Sequence, residues 1–94
     1  MKVVWSDRAV GHLTAIRDHI DKDDPTASEE MAIRILEGTE LLVDHPYLGC
    51  PGRILGTREL IIAGTPYRVP YRVQGNQLQL LAVFHGRRRW PKHL

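Results

Sequence analysis

The dipeptide Gly75-Asn76 stands between two stretches of alternating character, Tyr67–Val73 and Leu78–Phe84, and it restricts the fold more than any other feature. Glycine and asparagine accept the backbone angles of a tight hairpin turn, so the two stretches are expected to pair as antiparallel strands. A two-residue loop also sets the register. Gln74 then faces Gln77, and the pairs Val73–Leu78, Tyr71–Leu80, Val69–Ala82 and Tyr67–Phe84 share one apolar face. The opposite face receives Arg72–Gln79, Pro70–Leu81, Arg68–Val83 and Pro66–His85. Two arginines and a histidine are thereby expected on one surface.

Gly64-Thr65 marks a second turn, after a strand expected over Arg58–Ala63. The same count pairs Ile62 with Tyr67 and Leu60 with Val69 on the apolar side, and it sends Glu59 and Ile61 beside Pro70 and Arg68. A longer loop would bring Arg58 there instead. The site gains either a carboxylate or a third arginine.

Upstream the apolar period changes from two to between three and four. After Val3-Val4-Trp5, which suit a short strand, Ser6 can cap a helix carrying Ala9, Val10, Leu13, Ile16 and Ile20 on one face. Asp24-Pro25 opens a second helix, whose stripe of Ala27, Met31, Ala32, Ile35, Leu36, Leu42 and Val43 runs to His45-Pro46. Tyr47–Gly52 is loop by composition. The expected fold is a single α+β domain over residues 1–94. A short N-terminal strand precedes an antiparallel helix pair and a three-stranded antiparallel meander, with the helices on one sheet face.

The 94 residues rule out a multi-domain enzyme, and 43% apolar content rules out a disordered tail. The longest apolar run, Leu80–Phe84, is far too short to cross a bilayer. The first residues turn polar too soon for a secretory leader, so the cytosol is the expected compartment. Cys50 is the only cysteine, which excludes an intrachain disulfide. His12 and His19 lack a third ligand, and neither a metal nor another cofactor is expected.

Charge is distributed unevenly. Residues 1–50 sum to −5, and residues 51–94 to +7. Seven of the eight basic residues in the second half are arginine, the side chain suited to bidentate phosphate contact. Such a half suits a polyanion or an acidic partner, although arginines on an open sheet face also serve simply as a solvated surface. A ribonuclease that uses the RNA 2′-hydroxyl as its nucleophile requires no metal. Glu59 or His85 could serve its proton transfers, and Arg68 and Arg72 could stabilise the charged phosphorane. Arg87-Arg88-Arg89-Trp90 could neutralise phosphates and stack on a base, or Trp90 could pack back on the sheet.

Gly56-Thr57-Arg58-Glu59-Leu60, Tyr67-Arg68-Val69-Pro70-Tyr71-Arg72-Val73, Val83-Phe84-His85 and Arg89-Trp90-Pro91 together resemble the RelE/ParE superfamily of bacterial toxins. The resemblance spans essentially the whole chain. It implies a growth-inhibiting toxin of a type II toxin–antitoxin module, neutralised in a hetero-oligomer with a cognate antitoxin protein. RelE-like members cut messenger RNA in the ribosome, whereas ParE-like members poison DNA gyrase. By similarity, Arg68 matches a strand arginine of the nucleases, His85 the position of a catalytic histidine, and Arg58 the arginine of the Gly-Thr-Arg-Glu pattern. The leading expectation is a ribosome-dependent mRNA endonuclease acting through Arg68, Arg72, His85, Glu59 and Arg58. The alternatives are a non-enzymatic gyrase inhibitor that uses Arg87–Trp90 for contact, and a degenerate toxin that only binds antitoxin.

Overall fold

In the computed structural model, residues 1–87 are described. The elements are β1 (Lys2–Trp5), α1 (Asp7–Asp21), α2 (Pro25–Asp44), β2 (Cys50–Pro51), β3 (Arg58–Ile61), β4 (Tyr67–Gln74), β5 (Gln77–Leu80) and β6 (Phe84–His85). The sheet runs β1-β5-β4-β3-β2, with β6 also paired to β4. It is mixed, because β1 lies parallel to β5 with Val3 opposite Leu78 and Trp5 opposite Leu80. Among the described residues, no helix is long and apolar enough to cross a membrane.

Both helix starts follow from their caps. The Ser6 hydroxyl accepts the Ala9 N–H at 3.0 Å, and an Asp24 carboxylate oxygen accepts that of Ala27 at 3.1 Å, with Pro25 already holding a helical φ. Ser28 ties the helices together by donating its hydroxyl to the Arg17 carbonyl at 3.0 Å, with no exposed surface of its own. Between helices and sheet, Ile35 and Leu42 of α2 pack with Leu60, Val69, Tyr71, Leu78 and Leu80, all buried.

The hairpin at Gly75, whose φ is +59°, produces the expected pairs Gln74–Gln77, Val73–Leu78, Arg72–Gln79 and Tyr71–Leu80. Beyond Leu80 the expected register fails. Arg68 pairs with Phe84 and Tyr67 with His85, one residue out of step with the predicted Tyr67–Phe84 and Pro66–His85 pairs. The expected strand Leu78–Phe84 is therefore two pieces. Pro70 supplies the physical reason. Its carbonyl accepts the Leu81 N–H at 2.9 Å, but proline has no N–H to return, so the Leu81 carbonyl loses its ladder partner inside a central strand. The ladder breaks there, an extra residue is accommodated, and Val83 turns into the core at 3% exposure instead of facing Arg68. Cys50–Pro51, expected as loop, forms a two-residue strand on the edge of β3.

Candidate functional site

Across the β3–β4 pair, Glu59 stands opposite Pro70, and Ile61 opposite Arg68. Of the two alternatives left open by the turn length, the carboxylate takes the place beside Arg68. Glu59 is only 3% exposed. Its Oε1 lies 3.4 Å from Arg68 Nη1. Its Oε2 accepts the Arg53 N–H at 3.0 Å and lies 3.9 Å from Arg53 Nε. Each oxygen thus faces a donor of this chain. Glu59 fastens Arg68 and the 52–57 loop, rather than facing solvent as a free base.

Arg58 goes elsewhere. Its Nη1 donates to the Gly49 carbonyl at 2.8 Å, and its guanidinium lies 5.0 Å from the centre of the Tyr47 ring. It braces the segment after α2. The remaining two arginines share a strand and a face, yet they do not converge. They are four residues apart on β4, about 13 Å of extended backbone. Arg68 leans toward β3 and Glu59, while Arg72 leans the other way and donates from Nε to Gln79 Oε1 of β5 at 2.7 Å.

His85 is displaced by the register break. It stands opposite Tyr67 instead of Pro66, with its ring edge-on to that of Tyr67 at 5.8 Å. Its Nδ1 accepts the N–H of Arg87, an exposed residue, at 3.2 Å. Among the described residues, no hydrogen bond or ion pair joins His85 to Arg68, Arg72 or Glu59. Gly86, next in the chain, lies against Arg68: a Cβ there would sit 3.1 Å from Arg68 Nε. Arg88, Arg89 and Trp90 lie outside the described residues.

Two features of the structure were not expected from the sequence. One is the buried Tyr71 hydroxyl, which donates to the Pro46 carbonyl at 2.9 Å and accepts the Gly49 N–H at 2.8 Å. Burial pushes its pKa up, partly offset by that N–H and by Arg58. The other is a groove of about 970 Å³ between α2 and β3. Exposed Ile33, Leu41, Leu48 and Ile61 line it, with Glu30 and Glu37 among its other lining residues. Gly38 lets α2 approach the sheet here, since a Cβ would meet Ile62 Cδ1 at 2.9 Å. Among the described residues, β2 covers only Arg58 and Glu59 of the outer edge of β3, so the strand continues past it beside the groove. The signal was present: Ile33 and Leu41 fall off the buried stripe of α2, yet they share one side of the helix, about 80° apart around its axis.

The family described as "ParE toxin of type II toxin-antitoxin system, parDE" matches residues 3–90. The chain belongs to the ParE toxin family. It is 39% identical over 93 residues to toxin Y4kP of Sinorhizobium fredii, covering 99% of this chain and 96% of that protein. It is 33% identical over 87 residues to toxin RelE2 of Caulobacter vibrioides, covering 93% and 97%. The solved chromosomal ParDE system of P. aeruginosa superposes with a TM-score of 0.83 at 28% identity, covering 90% of this chain and 95% of that one. The ParE match runs from β1 past β6 and takes in Arg88, Arg89 and Trp90 of the basic end. The residue patterns that suggested the RelE/ParE superfamily are therefore those of a type II toxin.

Proposed function

We propose that this toxin acts by binding its target rather than by cutting RNA, with DNA gyrase as the target, and that an antitoxin neutralises it. One observation carries the preference over a nuclease: the acid–base and cationic groups do not converge. Glu59 is buried with both oxygens engaged, His85 stands against Tyr67, and Arg68 and Arg72 lean toward opposite neighbouring strands. In-line cleavage by a 2′-hydroxyl needs a base, an acid and a charge stabiliser around one phosphate. A contact surface has no such requirement. The exposed Arg72 and Arg87 offer cations to an acidic or DNA-bound partner.

For the antitoxin, the α2–β3 groove is the favoured seat, because it joins exposed aliphatic side chains to an uncovered strand edge. An amphipathic segment fits such a surface. The likeness to a ParDE assembly supports a partner of this kind.

The deciding experiment expresses the toxin without antitoxin and monitors two readouts together. Purified gyrase should lose supercoiling activity in proportion to added toxin, with messenger RNA intact by primer extension. Defined cuts in ribosome-associated messenger RNA, with supercoiling unaffected, would return the assignment to the nuclease branch.

A further inference from the structure

The register break takes the Leu81 carbonyl and the Val83 N–H off the β4 ladder, and the Ser6 cap and α1 supply partners for both. The Ser6 hydroxyl donates to the Leu81 carbonyl at 3.0 Å, replacing the N–H that Pro70 lacks. The Val83 N–H, which continued pairing would have given to Arg68, instead donates to His12 Nδ1 at 3.1 Å. The His12 ring also lies 5.1 Å from that of Phe84, tilted by 46°. One imidazole thus holds the amide of the last bulge residue and the side chain of the first residue of β6.

We propose that His12 is a positioning residue for the C-terminal end of the sheet: its neutral ring, with the proton on Nε2, fixes Val83 and Phe84 and through them His85 and Arg87, and protonation releases that end. The chemistry is specific to the tautomer. Only an unprotonated Nδ1 can accept the Val83 N–H, whereas an imidazolium would set one N–H against another. From the strand side, His12 meets an amide and a phenyl ring; from its own helix, the charge that bears on it is the Arg8 guanidinium. Burial and then Arg8 hold its pKa below the ordinary 6.5, so the accepting form prevails at neutral pH. The release is local. Leu78 and Leu80, before the break, are paired on both sides, by β1 and by β4, and have no exposed surface. The inference holds whichever target the toxin binds, because it concerns how the root of the basic end is placed.

Nuclear magnetic resonance of the full chain tests it. The ring nitrogens of His12 should report the Nε2–H tautomer near neutral pH. As the pH falls, the exchange protection factor of the Val83 amide should drop at least tenfold, tracking the His12 titration, while Val69 and Leu80 hold theirs. His12→Phe keeps a ring against Phe84 but has no acceptor, so Val83 should be poorly protected at every pH. His12→Asn offers a carbonyl near the position of Nδ1 and should keep Val83 protected with the pH dependence gone. Protection of Val83 that stays level through the titration, or survives His12→Phe, overturns the proposal. A loss shared equally by Val69 and Leu80 also overturns it, since His12 would then be ordinary packing. Should His12→Phe fail to fold, the wild-type series and His12→Asn still decide.

Discussion

Tyr71 shows how a single atom can join distant parts of this chain. Its ring fills the centre of the core, and its hydroxyl satisfies both a carbonyl and an N–H of the segment between α2 and β2. Tyr71→Phe keeps the ring but takes the hydroxyl from the buried Gly49 N–H and the half-buried Pro46 carbonyl. A loss of about 1–3 kcal/mol is expected in urea denaturation. Gly49 is bound to the same arrangement, because a Cβ there would come 2.7 Å from both the Glu59 carbonyl and the Tyr71 ring. Glu59 has a comparable role on the other sheet face. Glu59→Ala leaves Arg53 and Arg68 without their carboxylate, and stability should fall by about 1–3 kcal/mol. That is less than for a fully buried pair, since the arginine side chains are 49% and 33% exposed. If Glu59 is a fastener, the milder Glu59→Gln should fold and still arrest growth. Arrest abolished by Glu59→Gln, with the fold intact by circular dichroism, would instead point to a catalytic carboxylate.

Among the elements, α1 does more than cover the sheet. Its cap residue serves two partners, the Ala9 N–H and the Leu81 carbonyl. Ser6→Ala should therefore cost more than an ordinary cap, about 1–2 kcal/mol for the helix start plus about 1 kcal/mol for the orphaned carbonyl. The comparison is with Asp24→Ala in thermal melts, because the Asp24 carboxylate caps α2 through the Ala27 N–H without bridging to the sheet. The link between α1 and the end of the sheet is also sensitive to pH. The fold lowers the His12 pKa, so the unfolded chain binds that proton more readily. The contribution is complete above 6.5, declines as the pH falls from 6.5 toward the lowered value, and levels off below it. Melting temperatures of wild type and His12→Asn should diverge over that interval and run parallel above it.

For the whole molecule, surface character is divided by location. The apolar groove runs along the acidic helix α2, with Arg34 as the one arginine among the described residues of its lining, while Arg72 stands exposed on the open sheet face and Arg87 at the root of the basic end. The two binding functions should accordingly separate. Ile33→Asp and Leu41→Asp place charge in the groove and should weaken antitoxin binding at least tenfold in titration calorimetry, with growth arrest intact. Arg87→Glu should reduce arrest and leave antitoxin affinity nearly unchanged. A single substitution class that removed both activities together would show one shared surface.

The order of strand, helix pair and meander was legible from local signals alone: a serine cap, an Asp-Pro start, apolar periods of two and of three to four, and a Gly-Asn turn. Pairing near that turn was legible too, because two residues leave few ways to close a hairpin. Legibility ended at Pro70. A proline in a central strand withdraws one hydrogen bond, and the path of the chain beyond it depends on which distant groups can replace that bond. Ser6 and His12, far away in sequence, partner the Leu81 carbonyl and the Val83 amide, and the break they accommodate shifted His85 by one residue, away from its expected place opposite Pro66. The side chains that form chemistry were visible in the sequence. Whether they meet was decided by the tertiary structure, because backbone groups left unpaired in a protein interior must find partners wherever the fold brings them.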